Sequence, residues 1–147
     1  MNLAQALKQK NRLAGELVRQ QQILTRENAR RSDSVSKVDR KSVYDKIIEL
    51  STQLGELKGK ITQANVAIYP AIERMSEFKA QIAFLQGLPK QEGEELTYIG
   101  RDQEKMVYKW DSFINQENCD QRVTELQAKI NALQDTVDAY NATTEVK

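Results

Sequence analysis

The sequence contains no histidine and a single cysteine. Histidine is the commonest general base and a frequent zinc ligand, so its absence excludes hydrolases built on a Ser-His or Cys-His pair and most zinc sites. Cys119 alone cannot form a disulfide bond within the chain, which agrees with a reducing compartment. The six glycines are scattered and form no phosphate-binding loop. We therefore expect a protein that is not an enzyme and that carries no cofactor.

Long hydrophobic segments and an excess of one charge are also absent. The longest nearly uncharged run, near residues 64–72, is interrupted by Asn65 and Pro70 and is far shorter than a membrane span. The opening residues, MNLAQALKQKNRL, lack the apolar region of an export signal. The 22 basic and 21 acidic side chains leave a formal net charge of +1, too small for long-range attraction to nucleic acid. We therefore expect a cytoplasmic protein that binds neither membranes nor nucleic acid.

Helical periodicity dominates what is present. The composition, 39% hydrophobic and 29% charged, is typical of one globular domain over residues 1–147. Apolar stripes predict helices over about residues 2–31, 42–65, 70–86 and 118–140. In the second of these helices the apolar spacing alternates between four and three, which is typical of coiled coils. That seam comprises Val43, Ile47, Leu50, Leu54, Leu57, Ile61 and Ala64. The predicted fold class is mainly α, with long antiparallel helices in a helical bundle or a coiled-coil-like arrangement.

Polar residues mark where these helices should begin. Ser42 and Asn118 are each followed, three residues later, by an acidic or amide side chain, which is the spacing of a capping box. Pro70 fits the first helical position, where its missing N–H has no partner to lose. The sequence therefore predicts starts near these residues.

The segment near residues 95–114 departs from the helical pattern. Residues 96–99 and 106–114 are β-prone and flank a polar GRDQEK turn, which predicts a short β-hairpin inserted into the helical chain. Alternation along the second strand predicts one side with Met106, Tyr108 and Trp110 and another side with Val107, Lys109 and Asp111.

Aromatic and basic residues are concentrated in this predicted hairpin. Aromatic faces beside cations can stack a nucleotide base while holding its phosphate. The candidate ligand-binding residues are Tyr98, Arg101, Lys105, Lys109 and Trp110. In the alternative interpretation, the aromatics, with Phe113, only pack the hairpin onto the helices, because an isolated hairpin is marginally stable and aromatics bury much area.

Three other groups could carry chemistry. Cys119 falls near the start of the predicted fourth helix, where a thiol can become reactive, but no histidine is available to activate it. Glu92, Glu94 and Glu95 cluster without a further ligand at metal spacing, so we interpret them as solvated charges and expect no metal. A basic region brackets the first inter-helix turn and either binds a ligand or stabilises a helix C-terminus. It comprises Arg26, Arg30, Arg31, Lys37, Arg40 and Lys41.

Five motifs occur in a fixed order along nearly the whole chain. They are MNLAQAL, LKGKITQAN, RMSEFKAQIAFLQGL, YKW and YNATTEV. In this order the chain resembles the septicolysin-like family of small bacterial proteins, which also occurs in mobile elements and phages. The residues that carry the resemblance are Leu3, Ala4, Ala6, Leu7, Ile61, Asn65, Arg101, Lys109, Asn141, Thr143 and Thr144. The chain departs from the family pattern between Asn65 and Pro70, where the connection is shorter, and at Ala142, where the family has an aromatic residue.

The resemblance implies a helical, oligomeric protein of poorly defined role, in the cytoplasm of a bacterial cell or of a phage-infected host. Two functions are compatible with the residues. The first is a non-enzymatic homo-oligomeric binding or scaffold protein, because a thin protomer can hardly bury several long apolar stripes internally. The alternative is a phage-type sequestering protein that binds a small anionic nucleotide-like ligand at a subunit interface through the hairpin residues.

Overall fold

The computed structural model describes residues 1–101 and 104–147. The described residues form four helices and a two-stranded sheet. In chain order these are α1 (Leu3–Glu27), α2 (Arg40–Asn65), α3 (Tyr69–Gly87), β1 (Gly93–Ile99), β2 (Glu104–Trp110) and α4 (Gln116–Thr143). The fold is mainly α with a short antiparallel β-hairpin, which confirms the predicted fold class. Among the described residues, none of the helices combines the length and apolarity needed to cross a bilayer.

The chain divides into two compact units. Unit 1 comprises Met1–Tyr69 together with Val137–Lys147, and unit 2 comprises Pro70–Thr136. The expectation of one domain over residues 1–147 stays a prediction.

Unit 1 is built on α1 and α2, which run antiparallel. Two cavities show this direction. Leu24 of α1 and Tyr44 of α2 line one cavity near the loop that joins the helices, and Leu13 and Leu57 line another cavity farther from that loop. The core consists of the buried residues Leu3, Ala6, Leu13, Leu50, Leu54, Leu57 and Ile61. The central positions of the predicted α2 seam are therefore confirmed as core, since a single face of the helix supplies them.

Helices α2 and α4 begin earlier than predicted because other residues cap them. The carboxylate of Asp39 accepts hydrogen bonds from two backbone N–H groups, including that of Ser42 at 3.3 Å. The side-chain oxygen of Asn115 accepts from the backbone N–H of Asn118 at 2.8 Å. The predicted capping boxes beginning at Ser42 and Asn118 are wrong, since these residues are themselves capped by a side chain one turn earlier.

Helix α1 ends at Glu27, before the predicted residue 31. Nη1 of Arg40 donates to the carbonyl oxygen of Asn28 at 3.0 Å and to that of Glu27 at 3.5 Å. A guanidinium at this position satisfies carbonyl groups that the end of a helix leaves without partners. Part of the basic region thus has a structural role.

The first and last residues of the sequence meet in unit 1. We call the pairing of residues 1–3 with residues 142–146 the terminal clasp. The clasp lies next to the N-terminus of α1, where Asn2 and Gln5 form a capping box. Its bonds run from Leu3 N–H to Thr144 O (2.8 Å), from Val146 N–H to Met1 O (2.9 Å) and from Asn2 Nδ2 to Ala142 O (3.1 Å).

Unit 2 contains a smaller core between α3 and the first part of α4. Its buried residues are Leu85, Cys119 and Leu126, with Phe78, Ile82 and other half-buried side chains around them. Cys119 is 1% exposed, and its thiol lies 3.4 Å from the carbonyl oxygen of Leu85.

The hairpin of unit 2 follows α3. β2 ends at Trp110 and not at residue 114, and residues 111–115 form the connection to α4. Gly100 has φ +79°, a conformation that glycine adopts without strain, and it lies at the predicted turn. Residues 102 and 103 of that turn lie outside the described residues.

Candidate functional site

The register of the hairpin assigns its side chains to two faces. Residues directly opposite each other in an antiparallel pair project to the same face, and successive residues alternate. One face, the lysine face, contains the pairs Glu94–Lys109, Leu96–Val107 and Tyr98–Lys105. The other, the tryptophan face, contains the pairs Gly93–Trp110, Glu95–Tyr108, Thr97–Met106 and Ile99–Glu104.

The structure brings together three of the five predicted ligand-binding residues. Tyr98, Lys105 and Lys109 share the lysine face, and Tyr98 is the direct cross-strand partner of Lys105. Trp110 lies on the tryptophan face, and Arg101 is an exposed residue of the turn. The five residues therefore do not form one site.

Distance also separates the two lysines of the lysine face. Lys105 and Lys109 are four residues apart on β2, about 13 Å along an extended strand. Only lysine side chains that lean towards each other along the strand would bring both ammonium groups to one phosphate. Tyr98 and Lys105 are the pair best placed to bind a ligand, with the tyrosine ring stacked on its base and the ammonium against its anionic group.

Carboxylates of β1 accompany the cationic and aromatic residues of β2. Glu94 is the cross-strand partner of Lys109. The indole Nε1–H of Trp110 donates to Oε2 of Glu95 at 2.7 Å. A negative charge at the edge of the indole opposes an anionic ligand there. From the sequence we interpreted Glu94 and Glu95 as solvated charges, and the signal it offered was their position directly before the β-prone residues 96–99.

The apolar side chains of the hairpin are exposed on both faces. On the lysine face Leu96 and Val107 are each 52% exposed, and on the tryptophan face Trp110 is 44% exposed. Phe113, in the connection to α4, is 92% exposed. These exposures do not support the interpretation in which the aromatics only pack the hairpin onto the helices, and that interpretation stays a prediction.

A cavity of about 350 Å³ lies where the hairpin joins the helices of unit 2. The hydroxyl of Ser112 donates to the carbonyl oxygen of Gln91 at 2.6 Å and ties the two connecting segments together. The cavity is lined by Leu88, Pro89, Gln91, Trp110, Asp111, Ser112, Phe113 and Ile114. The described lining has an acidic residue and no basic one, so the cavity does not suit an anion.

The basic region of unit 1 borders a cavity of about 570 Å³. Arg40 is bound to the end of α1, and the ammonium of Lys41 contacts the carboxylate of Asp45 at 2.8 Å. The hydrogen bond and the charge of Asp45 raise the pKa of Lys41. Asp39 adds a negative charge to the lining. These contacts favour the structural interpretation of the basic region.

The other candidate groups give no site. Cys119 is buried and therefore inaccessible to a substrate. Within residues 1–101 and 104–147, no group of three or more histidine, cysteine, aspartate or glutamate side chains could hold a metal ion.

No family model, curated protein or solved structure matches this chain. The exposed hairpin is therefore the feature on which a functional proposal rests.

Proposed function

We propose that this protein is a non-enzymatic helical protein that self-associates into a homo-oligomer and acts as a binding or scaffold protein. The observation that carries this proposal is the hairpin, whose apolar side chains are exposed on both faces. A two-stranded hairpin is marginally stable by itself. Contiguous exposed apolar surface on a folded protein marks a site of interaction. Contact with another copy of the chain would bury this surface.

The outer side of α2 offers a second unpartnered surface. Tyr44 and Ile48 are exposed, although the same helix buries its opposite face in the core of unit 1. A Cβ atom added at Gly55 or Gly59 would meet nothing within 4 Å, so another helix could approach closely there. Both features support assembly through more than one surface.

Membership of the septicolysin-like family is part of the proposal, as is a location in the cytoplasm of a bacterial or phage-infected cell. In support, some of the residues that carry the resemblance lie together in unit 1. Leu3, Ala6 and Ile61 belong to the core of unit 1, and Thr144 belongs to the terminal clasp. The first and last motifs of the resemblance are thus neighbours in the fold.

Light scattering after size-exclusion chromatography, together with native mass spectrometry, tests self-association. We expect a mass that is a defined multiple of the 16.8 kDa chain at micromolar concentration. A stable monomer throughout that concentration range would refute the proposal.

A second candidate function is sequestration of a small anionic nucleotide-like ligand at a subunit interface. The observation that favours it is the pairing of Tyr98 with Lys105, with Arg101 in the adjoining turn. Native mass spectrometry before and after denaturation would detect a retained nucleotide, and calorimetry with linear and cyclic nucleotides would detect a titratable one. Binding lost in Tyr98→Ala and Lys105→Ala, and kept in Trp110→Ala, supports the site. Finding neither retained nor titratable nucleotide excludes it.

A further inference from the structure

We propose that the lysine face of the hairpin packs against the lysine face of a second copy, about a two-fold axis parallel to the strands. This inference rests on the proposed self-association and names the surface that mediates it. The lysine face has an apolar centre, Leu96 and Val107, and an oppositely charged pair, Glu94 and Lys109, at one end. The arrangement is complementary to itself under this symmetry.

The geometry follows from the register. A two-fold axis parallel to the strands places β1 of one copy over β2 of the other and keeps their positions along the axis. Each Glu94 then lies over the partner's Lys109, and each Leu96 lies over the partner's Val107. At the other end each Tyr98 lies over the partner's Lys105, where an ammonium can contact an aromatic ring. Apolar contacts in the centre are thus flanked by two favourable electrostatic contacts.

The charges also exclude the other face-to-face orientation. An in-plane axis perpendicular to the strands would place β2 over β2, so that each Lys105 would lie over the partner's Lys109. Like charges placed opposite each other disfavour association. The parallel axis is therefore the orientation that the charge pattern selects, and it makes the hairpin contact isologous, so that this contact joins two copies and no more.

The tryptophan face does not suit pairing with itself. It carries Glu95 and Glu104, and its described residues include no cation. Self-pairing would gather two carboxylates from each copy. Contact between the tryptophan face of one copy and the lysine face of another would match in charge, but it is heterologous and would propagate into a stack.

Charge reversal tests the pairing. In a dimer of Glu94→Lys chains, and in a dimer of Lys109→Glu chains, both inter-chain contacts at this end become repulsive. We expect each variant alone to have a dissociation constant at least roughly tenfold higher than that of the unmodified protein. When the two variants are mixed, every reversed position meets an opposite charge on the partner, so we expect association to be restored as a mixed dimer.

Sedimentation velocity would measure association, and native mass spectrometry with one variant isotopically labelled would identify the mixed species. Glu104→Lys, on the tryptophan face, is the matched control and should leave association unchanged. Circular dichroism of each variant checks that its helices remain folded. A mixture that stays as dissociated as its components overturns the inference.

Two further outcomes distinguish this inference from the proposed function. If the unmodified protein is monomeric at all concentrations, self-association itself fails. If the protein is oligomeric but neither reversal weakens it, self-association stands and the lysine face is not its interface. Open-ended growth that Glu104→Lys abolishes would show heterologous stacking of the two faces and would also overturn the inference.

Discussion

The side chain of Asn2 contacts two elements of unit 1 at once, and its replacement should be costly for a half-buried position. Its Oδ1 accepts from the backbone N–H of Gln5 at 2.9 Å, which caps α1. Its Nδ2 donates to the carbonyl oxygen of Ala142 at 3.1 Å, which closes the terminal clasp. Asn2→Ala removes both hydrogen bonds.

The two contributions can be estimated separately. Loss of an N-cap costs about 1 kcal/mol of folding free energy. Loss of one exposed hydrogen bond costs about 0.5 to 1 kcal/mol. We therefore expect Asn2→Ala to lower the free energy of unfolding by about 1.5 to 2 kcal/mol. The bond from the backbone N–H of Asn2 to Gln5 Oε1, at 3.1 Å, does not need the Asn2 side chain.

Asn2→Asp is the matched control. Its carboxylate keeps the acceptor for the cap and is favourable at a helix N-terminus, but it has no donor for the carbonyl of Ala142. We expect this variant to lose only about 0.5 to 1 kcal/mol, the part that belongs to the clasp. The difference between the two variants measures the cap.

Urea unfolding followed by far-ultraviolet circular dichroism provides the measurement. Protein concentration must be equal in all samples, because self-association stabilises the folded state by mass action. Equal losses in Asn2→Ala and Asn2→Asp would refute the contribution assigned to the cap. Unchanged stability in both would refute the reasoning about the whole contact.

Three further predictions concern the cores and one surface ion pair. Leu50→Ala should lower the free energy of unfolding by about 2 to 5 kcal/mol, because it opens a cavity in the unit 1 core. The control Thr52→Ala, at an exposed position of the same helix, should change that free energy by less than about 0.5 kcal/mol. Similar losses for the two variants in urea unfolding would contradict the assignment of the core. Cys119 should react with a thiol reagent much more slowly in the folded protein than in urea, because it is buried, and equal rates would contradict that burial. The hydrogen bond from Arg19 lowers the pKa of Glu16 to about 2, so this carboxylate should stabilise the fold above its ordinary pKa and lose that contribution as the pH falls towards 2. A nuclear magnetic resonance titration should show the pKa of Glu16 rising in Arg19→Ala, and an unchanged pKa would exclude the ion pair as its cause.

Much of the helical architecture could be predicted because it depends on local pattern. Apolar residues at spacings of three and four face one side of a helix whatever lies beside it, so Leu50, Leu54 and Leu57 could be assigned to a core. Helix starts were harder to predict because several polar residues compete for the same backbone amides. Asp39 caps the helix and Ser42 does not, because Asp39 lies just before the helix, where its side chain can accept from the N–H groups of the first turn.

The candidate site could be predicted only in part. Alternation along β2 already separates Lys109 from Trp110, so the sequence indicates two faces. Which β1 residue faces each of them depends on the register, and the register depends on how the turn closes. The carboxylates of Glu94 and Glu95 therefore entered the site only once the pairing was known. The exposure of both faces depends on tertiary packing, which no local pattern contains.

The terminal clasp determines when unit 1 can complete its folding. Helices α1 and α2 are neighbours in sequence and can pair as soon as both have left the ribosome. The hydrogen bonds of Leu3 and Met1 to residues 144 and 146 must wait until nearly the whole described sequence has been synthesised. Contacts between such distant residues slow folding, because a long loop must close before they form. We therefore expect α1 and α2 to pair before the clasp closes the edge of unit 1.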